Sequence, residues 1–103
     1  MLLQASAEVP SYENFRDAML WLTGQVEHPE GFVSLEVFQS HTNPNRVTFI
    51  ERWESVEAFE KAFAKYDMEQ RAEFLQRAGI DPERFERDLW VESDVPTVLP
   101  AKG

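Results

Sequence analysis

Phe32-Val33-Ser34-Leu35-Glu36-Val37-Phe38-Gln39-Ser40, the break His41-Thr42-Asn43-Pro44-Asn45, and Arg46-Val47-Thr48-Phe49-Ile50-Glu51-Arg52-Trp53-Glu54 make up the stretch on which the fold turns. Both runs are rich in β-branched and aromatic residues, and the break holds the asparagines and proline that turns favour. They read as a β-hairpin. With residues 42–45 as the loop and His41 facing Arg46, Phe38 falls opposite Phe49, Glu36 opposite Glu51 and Ser34 opposite Trp53. Val33, Leu35, Val37 and Ile50 then share the other face, so both faces carry large apolar side chains. Side chains alternate along a strand, so a slip of one residue would exchange the two sets.

Working upstream, residues 2–9 alternate, with Leu3, Ala5, Ala7 and Val9 on one side and Gln4, Ser6 and Glu8 on the other. That is a strand. Pro10 stops it, and Ser11 offers an N-cap oxygen to the free amides of a helix. Tyr12, Phe15, Met19, Leu22 and Val26 recur at steps of three and four as one apolar stripe, and the breaker His28-Pro29-Glu30-Gly31 follows.

Downstream of the hairpin, Ser55 caps a second helix whose stripe is Ala58, Phe59, Ala62, Phe63 and Tyr66. Asp67 with Gln70 resembles a fresh capping box, so this helix breaks or kinks and continues to Ala78. Gly79 suits the left-handed residue that ends helices, and Asp81-Pro82 starts one short helical turn. Residues 89–95 read as the last strand and 96–103 as a tail. The order β-α-β-β-α-β predicts a single α+β domain over residues 1–103, with its core at about 2–95. It is of ferredoxin-like type, with a four-stranded antiparallel sheet. Helices cover one face of such a sheet. The other face needs cover, and a second copy of the chain is the simplest candidate, because most soluble oligomers are two-fold homodimers.

Composition narrows the partners. Ten Lys and Arg against nineteen Asp and Glu leave a net charge of -9, the wrong sign for nucleic acid or for a polybasic membrane contact. No cysteine is present, so thiolate nucleophiles and thiolate metal sites are ruled out. His28 and His41 lie thirteen residues apart and do not share a helix face, so no metal site is expected. Met1-Leu2-Leu3 is too short for a signal-peptide core and no run is long enough for a membrane span, which makes the cytoplasm the expected location.

Pro29-Glu30-Gly31-Phe32, Glu36-Val37-Phe38-Gln39-Ser40, Arg46-Val47-Thr48-Phe49-Ile50-Glu51-Arg52-Trp53-Glu54-Ser55 and Ala58-Phe59 together resemble the antibiotic biosynthesis monooxygenase family, most specifically in the string Glu51-Arg52-Trp53-Glu54-Ser55. The resemblance implies a dimeric α/β barrel in which two sheets meet, with a pocket in each subunit between sheet and helices. It places Trp53 at that pocket. By strand parity Phe49 and Glu51 join it, and Glu36 and Phe38 follow from the neighbouring strand. The sequence departs from the family at several points. No histidine stands in Lys65-Tyr66-Asp67-Met68-Glu69, and Phe49 and Phe59 replace an asparagine and a tyrosine of quinone-forming members. The histidine and tryptophan of haem-degrading members fall on Ala72 and Ala62.

The activity so implied is cofactor-independent monooxygenation of a small aromatic or quinol substrate, without metal or other cofactor. Such chemistry needs a base for the substrate hydroxyl and a dry pocket for oxygen. Glu36 and Glu51, facing across a strand pair, would disfavour double ionisation, raise one pKa and so supply that base. Trp53, Phe49, Phe38, Phe59 and Phe63 would form the substrate wall. Alternatives stand beside this reading. The glutamates can serve buried partners such as Arg52 of another copy, Tyr12 or the Trp53 indole, and Trp53, Phe49, Phe59 and Phe63 can simply fill a core. The protein would then be a non-catalytic dimeric ligand-binding or structural module. An isomerase or lyase on the same pocket is a third reading.

Overall fold

The computed structural model describes residues 1–25, 27–65 and 68–94. Along them run β1 (Leu2–Glu8), α1 (Tyr12–Thr23), β2 (Phe32–Gln39), β3 (Arg46–Trp53), α2 (Val56–Ala64), α3 (Met68–Ala78), a 3-10 turn (Pro82–Arg84) and β4 (Glu86–Trp90). The strands form one sheet in the order β2-β3-β1-β4, and every neighbouring pair is antiparallel. The fold is α+β and ferredoxin-like, as the element order requires.

The caps sit where the sequence puts them. Ser11 Oγ accepts from the Asn14 amide at 3.3 Å, Ser55 Oγ from the Ala58 amide at 3.0 Å, and Asp81 Oδ1 from the Glu83 amide at 3.0 Å. Gly79, at φ 72°, follows α3, and a Cβ there would lie 2.6 Å from Pro10 Cγ, so conformation and space both demand glycine. The second helical stretch is divided between α2 and α3. Val26, Tyr66 and Asp67, and with them the proposed capping box, lie outside the described residues, as do Val95 and the 96–103 tail.

The hairpin register differs from the expectation by one residue. The Ser40 amide donates to the Arg46 carbonyl at 2.9 Å, so five residues, 41–45, make the loop. Asn43 closes it: its carbonyl accepts from the Arg46 amide at 2.9 Å and its Oδ1 from the Asn45 amide at 3.1 Å. Phe38 therefore faces Thr48, Val37 faces Phe49, Glu36 faces Ile50 and Leu35 faces Glu51. A bulge at Val33 then brings Phe32 opposite Trp53. Leu35, Val37, Phe49, Glu51 and Trp53 thus share the helix side with Leu3, Ala5 and Ala7, while Ser34, Glu36, Phe38, Ile50 and Arg52 lie on the opposite face. The expected pairs Glu36–Glu51 and Phe38–Phe49 do not form.

The last strand also begins earlier than the apolar run Leu89-Trp90-Val91 suggests. β4 is an edge strand, where charged residues are tolerated, so Glu86, Arg87 and Asp88 enter the ladder. It ends at Trp90 because β1 begins at Leu2, its partner.

Two apolar clusters form on the helix side. α1 and α3 pack on each other and enclose Ala7, Val9, Phe15, Ala18, Met19, Val47, Phe74, Leu75, Ala78 and Ile80. α2 packs on β3, and Leu3, Trp53 and Phe59 form the second cluster with Met1, Phe32, Ala58 and Ala62 around them. Each fully buried large side chain, Phe15 for example, contributes on the order of 1.5–3 kcal/mol. Among the described residues no helix is long and apolar enough to cross a membrane.

Candidate functional site

Trp53 ends β3, and its backbone is held at both polar groups. Its amide donates to the Met1 carbonyl at 2.9 Å, and the Met1 ammonium donates to its carbonyl at 3.0 Å. The indole is 7% exposed and sits between two rings edge-on, Phe32 at 5.3 Å and Phe59 at 5.6 Å between centroids. Phe63 continues the wall at 5.7 Å from Phe59 and is 41% exposed, so the wall reaches solvent there. Such contacts add to area burial, and they also set the orientation of each ring.

Glu51 precedes Trp53 by one full strand repeat and projects to the same side, between Leu3 and Leu35 on the flanking strands. Burial pushes its carboxyl above the ordinary glutamate value, opposed in part by the Trp53 indole and by the positive charge of Arg87. The indole N–H is near enough to favour the carboxylate, yet among the described residues the buried Trp53 Nε1 makes no full hydrogen bond. A buried donor in that state is costly and is free to meet an acceptor that enters. Arg87 faces Ala5 on β1, and its Cζ lies 5.3 Å from the Phe63 ring centroid. Phe49 also faces Ala5, from the other flank, with its ring 5.6 Å from Phe85.

The fold thus gathers Glu51, Trp53, Phe49, Phe59 and Phe63 on the helix side and separates Glu36 and Phe38 from them. Glu36 instead meets Arg52 of its own chain, Nε to Oε2 at 3.3 Å, on the opposite face. Phe38 is 52% exposed there. Of the histidines, His28 lies edge-on to Phe32 at 4.9 Å, and His41 sits in the hairpin loop at the far end of β3 from Trp53. Arg87 escaped the sequence reading because the last strand was expected to start two residues after it. The signal was its alternation with Leu89, which only the pairing with β1 makes visible. A depression of about 310 Å³ lies elsewhere, lined by Ser6, Glu8, Arg46, Ile80, Arg84 and Glu86 at the other end of β1.

Comparison with known proteins bears on this arrangement. The sequence pattern of the antibiotic biosynthesis monooxygenase family matches residues 10–72, more than half of the chain. The chain belongs to the antibiotic biosynthesis monooxygenase family. The matched span contains Glu51, Trp53 and Phe59. No curated protein gives a significant match. Among solved structures, SnoaB from Streptomyces nogalater, a cofactor-independent oxygenase, superposes with a TM-score of 0.70 at 16% identity over 90% of this chain and 91% of its own. A Deinococcus radiodurans protein named for the same family gives 0.66 at 14% identity over 100% of both chains. A Shewanella oneidensis protein gives 0.62 at 22% identity over 84% of both. Identity at this level supports the antibiotic biosynthesis monooxygenase fold, while activity has to be argued from the site.

Proposed function

We propose that this protein is a cofactor-independent monooxygenase acting on a small electron-rich aromatic, a phenol or quinol, with Glu51 as general base. One observation carries the reading. A carboxyl made more basic by burial stands beside a buried indole N–H that forms no full hydrogen bond among the described residues, within a wall of Phe32, Phe59 and Phe63 and with Phe49 on the same face of β3. Family membership and the named activity of the Streptomyces nogalater protein support it.

The chemistry balances without a further reductant. A phenol gives its hydroxyl proton to Glu51, and the phenolate, far richer in electrons, attacks oxygen through a ring carbon. Loss of that carbon's hydrogen and cleavage of the O–O bond leave a quinone and one water. One oxygen atom enters the ring and the substrate supplies all four electrons. A base with a pKa nearer the working pH suits the first step, and the Trp53 N–H can receive a developing oxygen charge.

The same reading makes the protein a cytoplasmic homodimer. The sheet face away from the helices carries Phe38 and Trp90, each 52% exposed, with half-buried Ile50 between them, and a second copy there would remove this surface from water. A different observation favours the non-catalytic alternative of a small-ligand-binding module: Trp53 is closed in by two rings, and phenylalanines stand at positions 49 and 59. Oxygen uptake with a panel of hydroquinones and dihydroxynaphthalenes separates them. Uptake that falls on the order of 10²-fold or more in Glu51→Gln is expected. Unchanged turnover in that variant removes Glu51 as the base, and ligand-raised melting without any uptake supports the binding module.

A further inference from the structure

We propose that Arg87 is the anion-binding residue of this site and that it holds the ionised oxygen that a small planar aromatic acquires once Glu51 has taken its proton. The inference rests on the reading above for the location of the site and goes beyond it in assigning a ligand charge and the residue that reads it.

The arginines of the chain are unequal. Arg16, Arg46, Arg52, Arg77 and Arg84 each have a carboxylate partner within 4 Å, at distances from 3.3 to 3.9 Å. Arg71 and Arg87 have none among the described residues, although the chain carries nine more acidic than basic groups, and of the two only Arg87 stands on a strand of the sheet. The chain neighbours of Arg87, Glu86 and Asp88, face Ser6 and Gln4 on the other side of the sheet, where alternation removes them from its reach. On the helix side the guanidinium of the exposed Arg87 lies over the Phe63 ring, a contact that orients the planar cation, and its N–H groups have no protein partner among the described residues. Phe63 and Leu89 are 41% and 44% exposed, so this corner is where a small molecule meets the site from solvent.

The charge ledger fits the chemistry. On this face the partly buried Glu51 carboxyl feels the field of Arg87 without forming an ion pair with it. When Glu51 takes a phenol proton, the negative charge passes from the carboxylate to the substrate oxygen. The total charge beside Arg87 is unchanged. An arginine already committed to a salt bridge would have to break it to follow that transfer, whereas Arg87 does not.

Binding measured by calorimetry under nitrogen tests this without turnover. The probes are 2-hydroxy-1,4-naphthoquinone, an anion at neutral pH, and 1,4-naphthoquinone, its neutral counterpart of nearly the same shape. The wild-type protein is expected to bind the anion on the order of ten-fold more tightly, with a preference that weakens in salt. Arg87→Gln abolishes the preference while leaving the neutral probe within about two-fold, Arg87→Lys keeps part of it, and Arg84→Gln behaves as wild type. A wild type that binds neither probe or prefers neither, or an Arg87→Gln protein that keeps the preference, overturns the inference. An Arg87-dependent preference without hydroquinone-driven oxygen uptake leaves Arg87 in its role and removes the oxygenase reading. Uptake without that preference does the reverse.

Discussion

Gly31 backs directly onto Ala58: a Cβ on the glycine would lie 2.5 Å from the alanine Cβ. Gly31 also has φ 83°, in the left-handed region, and its carbonyl accepts from the Glu54 amide at 2.8 Å. This contact seats α2 at the start of β2, one residue from Phe32 and one from Phe59. Gly31→Ala is expected to lose roughly 2–4 kcal/mol, from overpacking plus a disfavoured backbone. Ala58→Gly in the same chain recovers only the steric part. Urea unfolding of the two single variants and the double variant measures the coupling.

Trp53 separates two contributions that usually travel together. Trp53→Ala opens a cavity in the second cluster and is expected to cost about 3–5 kcal/mol. Trp53→Phe keeps most of the ring and discards a buried N–H that makes no hydrogen bond, so it should fall within about 1 kcal/mol of wild type. Unfolding followed by far-ultraviolet circular dichroism distinguishes the pair, and a Phe variant as damaged as the Ala variant would mean that the indole N–H is satisfied after all.

The raised pKa of Glu51 has a definite sign for stability. The folded protein holds this proton more tightly than the unfolded chain, so ionisation penalises the native state. The favourable contribution is complete below the ordinary glutamate value of 4.5 and is lost as pH rises through the folded value above it. Glu51→Gln should therefore be more stable than wild type near neutrality, and the gap should close as pH falls toward 4.5. Urea midpoints of both proteins across that range provide the measurement. A gap independent of pH would point to packing rather than ionisation.

Phe38 tests the proposed sheet-to-sheet dimer. It is 52% exposed and lies on the face away from the helices, so Phe38→Glu should change the stability of the isolated fold by no more than about 0.5 kcal/mol. Between two copies it would bury a pair of charges. Sedimentation at micromolar concentration is expected to show a dimer for wild type and a monomer for the variant, and a monomeric wild type defeats the dimer.

Local chemistry explains how much was legible in the residues. The Ser11, Ser55 and Asp81 caps each act over two or three positions, and so do Gly79 and the breaks around Pro10 and residues 28–31. Element order follows from them, and with it the fold. Within one strand the alternation of side chains is equally local, so Glu51, Trp53 and Phe49 share a face of β3 whatever its partners.

Pairing between strands is another matter. Whether Glu36 meets Glu51 or Ile50 depends on one extra residue in the 41–45 loop, closed by Asn43, and on the Val33 bulge. Arg87 enters the site only because β4 aligns with β1, whose other flank carries Glu51 and Phe49. The amino-acid sequence alone determined which segments are helix and strand and which side chains share a face of one strand, since those follow from neighbours a few bonds away. Tertiary structure decided which faces meet, because register is chosen by hydrogen bonds and packing between distant segments, where a shift of a single residue exchanges the two sides of the sheet.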